Sequence, residues 1–254
     1  STTRYTQPAM VAVANMATLL LKKNGITPDY VCGLSLGEYS ALSAAGVFDP
    51  KTAIQVVRER GLAMEKAAEG IESAMMAILG LEREPLLNIC ESCDGYVSIA
   101  NYNCPGQLVI AGEKKAVEEA GQKALDNGAR RAVPLNTSGP FHTKLLKDAS
   151  TRLHEVFKDV KFHEMNVPVI FNCTGKELED CSVQEMLEKQ VMSSVYFEDS
   201  IRTMINNGVD TIIEIGPGKV LSGFVRKIDR KIKTYQVEDM ASLQKCVEAL
   251  NETK

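Results

Sequence analysis

The chain has 254 residues, of which 44% are hydrophobic and 24% are charged, and its formal net charge is −4 at pH 7. This length exceeds one average domain and allows a sizeable core. The composition is ordinary for a globular protein, and the mild negative charge argues against nucleic-acid binding. The apolar runs are far below membrane-spanning length. We therefore expect no nucleic-acid partner and no membrane partner.

The cysteines favour reduced thiols over a disulfide framework. There are seven, an odd number, scattered from Cys32 to Cys246, which suits a cytoplasmic protein. Cys90 and Cys93 form one CxxC motif. Without a second pair or a histidine at ligand spacing, this motif is interpreted as helix-packing thiols rather than a metal site.

The first predicted element is a helix, with Thr6 as its N-cap and Pro8 in its first turn, ending at Asn24 and Gly25. A short apolar run at residues 30–32 then leads into GLSLG at residues 33–37 and a helical pattern. This order predicts a sharp strand-to-helix turn at Ser35, the arrangement of a nucleophile elbow.

The predicted elbow accounts for the two glycines that flank Ser35 and makes Ser35 a candidate nucleophile. We expect a side chain at Gly33 or Gly37 to collide with the neighbouring strand and helix. The turn lifts the Ser35 hydroxyl to the helix N-terminus, where the Leu36 N–H can face a developing oxyanion and the helix dipole favours negative charge. A purely structural role for this serine remains the alternative.

A second helix is predicted from Asp49 and Pro50 to about Ala68. Its charged and amide residues share one arc of the helical wheel, but Arg60 lies on the inward, apolar arc. A buried guanidinium is costly unless an anion meets it. That anion is either a protein carboxylate in a structural ion pair or a ligand carboxylate, which the planar donor fork of arginine suits.

The periodicity changes over residues 73–135, where strand, helix, two strands, helix and strand follow one another. This βαββαβ order is that of a ferredoxin-like unit. We therefore predict an α/β protein with two subdomains. Residues 1–72 and 136–254 form a hydrolase-like, parallel-sheet large subdomain, and residues 73–135 form an inserted ferredoxin-like small subdomain.

Of three histidines, His142 is the best candidate for a role inside a cleft. A helix is predicted to begin at residues 139–142, and on its wheel His142 falls with Leu145 and Ala149 on the inward stripe. His154 and His163 are interpreted as surface residues. A histidine on an apolar face is more often a core residue, so this pattern alone leaves both interpretations open. Farther on, residues 211–215 are predicted to form a continuous buried strand.

Taken together, the chain resembles the malonyl-CoA:acyl carrier protein transacylases. The resemblance runs over essentially the whole chain through YTQPA at 5–9, GLSLGEYSAL at 33–42, RGxxM at 60–64, IANYNCPGQLVIAG at 99–112, SGPFH at 138–142 and EIGPGKVL at 214–221. It implies transfer of a malonyl group from CoA to the pantetheine thiol of acyl carrier protein, which supplies extender units for fatty acid biosynthesis.

The resemblance also implies roles for individual residues. Ser35 would be the nucleophile, His142 the general base, Arg60 the partner of the malonyl carboxylate and the Leu36 N–H one oxyanion donor. The expected lining of the cleft is Gln7, Asn103 and Phe141. In the family a backbone carbonyl near the segment written here SSVYF, at residues 193–197, typically orients the histidine. This makes the main chain of Tyr196 the candidate.

Two departures from the family pattern bear on these expectations. Leu34 stands where many members carry histidine, which removes a polar neighbour of the nucleophile. The family also begins with a strand and a GQGxQ loop, and no such stretch precedes Ser1. The main chain of that loop normally supplies the second oxyanion donor. We therefore expect an upstream segment that adds this donor and a strand beside residues 30–33.

The implied mechanism is ping-pong and needs neither a metal nor a redox cofactor. His142 would take the Ser35 proton, and the serine would exchange one thioester for another through an ester. A serine hydrolase or thioesterase shares the elbow, but ordinarily places an acidic residue and a histidine after the serine and needs no inward arginine. A non-catalytic remnant that binds carrier protein is the other alternative.

A docking surface for the acidic carrier protein is a further hypothesis. Complementary charge would steer the encounter, although a solvated face explains each residue equally well. The candidate cations are Arg130, Arg131, Arg226, Lys227, Arg230 and Lys231.

Overall fold

The computed structural model describes residues 3–252, and the side chains from Tyr5 onward. The helices are α1 (Thr3–Lys23), α2 (Gly37–Ala44), α3 (Pro50–Ala68), α4 (Arg83–Glu91), α5 (Lys114–Asp126), α6 (Lys147–Phe157), α7 (Val183–Gln190), α8 (Phe197–Asn206), α9 (Val220–Ile228) and α10 (Met240–Asn251). The strands are β1 (Val31–Cys32), β2 (Ser73–Leu79), β3 (Val97–Cys104), β4 (Gln107–Glu113), β5 (Arg131–Pro134), β6 (Val169–Ile170), β7 (Thr211–Ile215) and β8 (Lys233–Val237). Within residues 3–252, no helix combines the length and apolarity that crossing a bilayer requires.

The larger part of the molecule is a parallel α/β unit. Strand β1 pairs in parallel with β6, and β7 pairs in parallel with β8. In the described residues these are two separate pairs. The largest apolar core lies where α2, α3 and α6 meet, and includes Tyr39, Phe48 and Phe157. Residues 211–215 do form one continuous strand, β7, but it is half-buried along its whole length, so the prediction that this strand is buried was wrong.

The smaller part is an antiparallel sheet in the order β3-β4-β2-β5. Helices α4 and α5 cover one face and share a core with its strands that includes Ile78, Leu86 and Ile110. On the opposite face of the sheet, Met75 and smaller apolar residues form a separate cluster that packs against Phe141. This sheet order confirms the ferredoxin-like fold. The subdomain limits at residues 73 and 135 stay a prediction.

Two local predictions were wrong. Helix α1 begins at Thr3, so Pro8 lies inside the helix and Thr6 is not its N-cap. His142 is not helical: its φ is 61°, and it precedes a short 3-10 turn at Lys144–Leu146 that leads into α6. A left-handed residue cannot continue a right-handed helix. His142 is buried, as predicted, but the helical periodicity from which its burial was predicted does not exist at this residue.

A charged and aromatic cluster joins the two parts of the molecule. Arg83 at the start of α4 donates to both carboxylate oxygens of Asp199 in α8, over 3.0 and 2.7 Å. It also pairs with the buried Glu198 at 3.0 Å. Its guanidinium lies 4.8 Å from the ring centroid of Tyr102, and that ring stacks on Tyr196 with centroids 4.7 Å apart. The bidentate geometry holds α4 in a defined position against α8.

Candidate active site

Ser35 lies in the turn between β1 and α2 and has a left-handed backbone, with φ of 55°. Such a conformation is unusual for a residue with a side chain. A Cβ at Gly33 would overlap the main chain of Gly37, which explains the first glycine. A Cβ at Gly37 would meet nothing within 4 Å. The elbow was therefore predicted correctly, but the steric argument for its second glycine was wrong.

The histidine of SGPFH lies directly on this serine. His142 Nε2 is 2.7 Å from Ser35 Oγ, and its Nδ1 is 3.0 Å from the backbone carbonyl of Gln190. Its own N–H donates to the carbonyl of Val191 at 3.3 Å. A carbonyl can only accept, so Nδ1 carries the proton and Nε2 is the basic nitrogen that faces the serine.

The carbonyl that orients His142 belongs to Gln190, so the expectation for Tyr196 was wrong. Gln190 is the last residue of α7, and the final carbonyls of a helix have no intrahelical partner. The carbonyl of Tyr196 instead accepts the N–H and the hydroxyl of Ser200 in α8, and its N–H donates to the carbonyl of Asn172. Its main chain is therefore committed elsewhere.

Arg60 is 1% exposed and converges on the same atoms. One guanidinium nitrogen donates to Gln7 Oε1 at 2.8 Å. The other donates to Ser35 Oγ at 3.0 Å and to Gln190 Oε1 at 3.1 Å. The Nε atom has no hydrogen-bond partner among the described residues. Arg60 therefore rests on neutral amides and a hydroxyl, and within residues 3–252 it forms no salt bridge.

Burial dominates the electrostatics of the site. It lowers the pKa of His142 to about 4, with the nearby charge of Arg60 as the second cause. Burial also lowers the pKa of Arg60 from its ordinary value. It raises the pKa of Glu38, a fully buried residue of α2, to about 8. At neutral pH the histidine is therefore uncharged, and Arg60 is the cation that contacts Ser35 Oγ.

The remaining predicted residues lie around this group. Gln7 comes from α1 and is buried, and Leu36 directly precedes α2. Asn103 in β3 is buried, and its Oδ1 has no hydrogen-bond partner in the described structure. Phe141 packs against the cores of both parts of the molecule. Ser35, His142, Arg60 and Gln7 are joined by hydrogen bonds. The roles predicted for these four residues, for Leu36 as oxyanion donor and for Asn103 and Phe141 as binding residues all stay predictions.

Sequence reasoning missed three polar residues that support the site. Gln190 Nε2 donates to the Ser35 carbonyl at 2.8 Å, and the Ser35 N–H donates to Asn172 Oδ1 at 2.7 Å. Asn172 is in turn held by Glu38. One signal was available for Glu38, because it is an acidic residue among the otherwise apolar buried residues of α2. Asn172 follows the apolar run at residues 167–171 and Gln190 follows two charged residues, so neither carries a comparable signal.

The pH dependence of serine acylation should reflect the lowered pKa of His142. The proton of His142 blocks its action as a base, so the rate should fall only as the pH approaches about 4. An ordinary histidine would lose activity near its pKa of about 6.5. Single-turnover acylation across the stable pH range tests this. A limb near pH 6.5 that disappears in His142→Ala would contradict the expected shift.

The same shift affects stability. The unfolded chain binds the His142 proton below a pKa of about 6.5, whereas the folded chain binds it only below about 4. The contribution of His142 to the free energy of unfolding is therefore present above the unfolded pKa and is lost as the pH falls through this window. Glu38 has the opposite sign, because its folded pKa is raised. Its stabilising effect is lost as the pH rises towards 8.

The elbow serine, the histidine on its hydroxyl and the α/β fold define the class of enzymes that act through a nucleophilic serine. The family model of the acyl transferase domain matches residues 1–250. The malonyl CoA-acyl carrier protein transacylase of Bacillus subtilis is 44% identical over 250 residues, which cover 97% of this chain and 79% of that protein. The Staphylococcus aureus protein of the same name is 36% identical over 246 residues, covering 95% of this chain and 79% of its own.

Solved structures agree with this family. The malonyl CoA-acyl carrier protein transacylase of Clostridium perfringens superposes with a TM-score of 0.94 at 42% identity, over 99% of this chain and 80% of that one. A malonyl-transacylase in complex with a type II polyketide synthase acyl-carrier protein gives a TM-score of 0.94 at 37% identity, over 98% and 82% of the two chains. The chain therefore belongs to the acyl transferase domain family, among the malonyl CoA-acyl carrier protein transacylases, and is an acyltransferase.

Proposed function

We propose that this protein transfers a malonyl group from CoA to the pantetheine thiol of an acyl carrier protein through an ester on Ser35. The observation that carries the proposal is the buried Arg60, which lies 3.0 Å from Ser35 Oγ and has only neutral partners. A serine that accepted only uncharged acyl groups would gain nothing from an uncompensated cation beside it. A malonyl group brings the carboxylate that this cation lacks.

In the first half-reaction Ser35 Oγ attacks the thioester carbonyl, and its proton passes to His142 Nε2. The carbon–sulfur bond breaks, and the CoA thiolate takes the proton back from His142. The Gln190 carbonyl stabilises the imidazolium that forms between these steps, because it accepts a hydrogen bond from Nδ1–H. The carrier-protein thiol then attacks the ester and reverses the sequence.

Leu36 is the proposed oxyanion donor. It follows Ser35 and directly precedes α2, so its N–H lies at the N-terminal end of a helix, where negative charge is favoured. Asn103 and Phe141 are proposed to line the acyl pocket. The buried Oδ1 of Asn103, which has no partner in the described chain, marks a polar wall. Phe141 supplies an apolar one, which would help to keep water from the ester.

For the carrier protein we propose a surface that includes Arg226 and Lys227 at the end of α9. Both side chains are exposed. Lys227 Nζ reaches Gln107 Oε1 in the small subdomain at 2.9 Å, so this surface lies beside both parts of the molecule. We also propose a cytoplasmic location and a role in fatty acid biosynthesis. The seven free thiols suit a reducing compartment.

Reversing the charge of this surface should affect one half-reaction only. The double substitution of Arg226 and Lys227 by glutamate should raise the apparent KM for carrier protein, since steering by opposite charge is lost. The rate of Ser35 acylation by malonyl-CoA should stay unchanged. The matched control reverses Lys114 and Lys115, which are equally adjacent and exposed. Equal effects of both pairs, or on both half-reactions, would argue against docking at α9.

Intact-mass spectrometry tests the proposed function directly. After mixing with malonyl-CoA the protein should carry one malonyl adduct, and addition of carrier protein with its pantetheine arm should remove it and malonylate the carrier. An adduct that decays to free malonate without acceptor would instead indicate a hydrolase or thioesterase. Absence of any adduct would favour the non-catalytic, carrier-binding alternative.

A further inference from the structure

Beneath the elbow, Asn172 uses every polar atom it has. Its side-chain Oδ1 accepts the Ser35 N–H at 2.7 Å, and its Nδ2 donates to the Gly33 carbonyl at 2.6 Å. Its own N–H donates to Glu38 Oε2 at 2.5 Å, and its carbonyl accepts the Tyr196 N–H at 2.8 Å. Asn172 is fully buried. The Asn172 side chain therefore holds the main chain of the turn at Gly33 and Ser35, and its N–H contacts Glu38 in the helix that follows.

The elbow needs these hydrogen bonds because the backbone of Ser35 has a left-handed conformation. A non-glycine residue keeps that conformation only when its surroundings over-determine it. The Ser35 hydroxyl must at the same time stay 2.7 Å from His142 Nε2. A rotation of the turn that relaxed the backbone would carry the hydroxyl away from its base.

The carboxyl group of Glu38 makes one hydrogen bond in the described structure, and that bond is to Asn172. It is fully buried, and its Oε1 has no hydrogen-bond partner in the described structure. It lies near the charge of Arg60, but the two form no salt bridge within residues 3–252. A buried carboxyl group with one partner is costly, and that one partner is the N–H of Asn172. Burial raises the pKa of this carboxyl to about 8, and its one hydrogen bond in the described structure is as the acceptor of the Asn172 N–H.

We propose that Glu38 and Asn172 are positioning residues that act as one unit, in which Glu38 fixes Asn172 and Asn172 fixes Ser35 against His142. Neither residue touches the acyl group in this scheme. The inference rests on the proposed role of Ser35 as the nucleophile. It predicts that loss of either member changes the rate of acylation and not the affinity for the acyl donor.

The test uses Glu38→Ala, Asn172→Ala and the double variant. Two rates are measured: single-turnover acylation by malonyl-CoA, and Ser35 labelling by a fluorophosphonate probe, which needs no malonyl site. Each single variant should slow both rates on the order of 10²-fold, the cost of a misplaced reacting atom, with the KM for malonyl-CoA unchanged. The double variant should be no slower than the slower single one, because both act through one contact chain.

Two further variants separate positioning from general loss of stability. Glu38→Gln keeps an acceptor for the Asn172 N–H and should retain both rates within a few-fold. Glu188→Ala removes a carboxylate from α7, the helix that ends at Gln190, and should also leave them unchanged. If Glu38→Ala does not fold, Glu38→Gln and Asn172→Ala still decide the matter. A wild-type rate in Asn172→Ala, a strong loss in Glu38→Gln or multiplicative losses in the double variant would each overturn the proposal.

The probe also keeps the two proposals apart. If the wild-type protein is labelled by the fluorophosphonate but not by malonyl-CoA, the proposed substrate is wrong and the labelling rates still test the positioning unit. If malonyl-CoA labels all variants at the wild-type rate, the function stands and the positioning unit is wrong.

Discussion

Ser35→Ala is expected to abolish both malonyl labelling and transfer to carrier protein. In the proposed mechanism this hydroxyl is the nucleophile of the first half-reaction and carries the acyl group into the second, and it lies 2.7 Å from His142 Nε2. Alanine keeps the shape of the turn but removes the atom that forms the ester. Intact mass after incubation with malonyl-CoA should show no adduct, and carrier protein should stay unmodified.

Two other variants make this result specific. Ser40→Ala, in the same helix α2, should label like the wild-type protein. His142→Ala keeps the nucleophile but loses its base, so acylation should be slower by roughly 10²–10⁴-fold and still measurable. An adduct on Ser35→Ala would show that another residue carries the acyl group. An unchanged single-turnover rate in His142→Ala would remove the histidine from the mechanism.

Arg60→Ala is expected to change the acyl preference of the enzyme from malonyl to acetyl groups. A malonyl group differs from an acetyl group by one free carboxylate, which needs a charge-assisted partner in a site closed to water. Without the guanidinium that carboxylate is buried unpaired, a loss of several kcal/mol, so malonyl transfer should fall to a trace. The uncharged acetyl group loses no partner and gains room. Acetyl transfer should therefore persist or increase.

The measurement is the ratio of kcat/KM for malonyl-CoA to that for acetyl-CoA. Arg58→Ala is the matched control, because Arg58 lies on the same helix, is exposed and contacts Glu59. It should leave the ratio unchanged. Arg60→Lys keeps the charge without the planar fork and should retain part of the malonyl preference. If both activities fall together in Arg60→Ala, the arginine supports the fold rather than selecting the substrate.

The site was predictable where local pattern and chemistry coincide. The elbow follows from glycine spacing between a strand and a helix, and Arg60 stands out because a charge interrupts an apolar arc. His142 was assigned by motif and its burial is confirmed, but periodicity placed it in a helix that begins only after it. A left-handed backbone at a histidine leaves no periodic signal.

The support of the site was harder to predict because it depends on distant main-chain atoms. The carbonyl that orients His142 lies 48 residues away in sequence, and the amide that holds the Ser35 N–H lies 137 residues away. Every residue has a carbonyl, so sequence cannot say which one meets the histidine. The prediction named Tyr196, six residues after Gln190, but the carbonyl of Tyr196 accepts hydrogen bonds from Ser200 instead.

The environment of Arg60 has a consequence for the relative stability of the free and the acylated enzyme. The resting enzyme keeps a desolvated cation whose partners are two amides and the nucleophile itself. In the proposed reaction the Ser35 oxygen becomes the ester oxygen and a malonyl carboxylate enters the site beside Arg60, so the charge of Arg60 should be better compensated in the covalent intermediate than in the free enzyme. The malonylated chain should then unfold at a higher temperature than the unmodified chain.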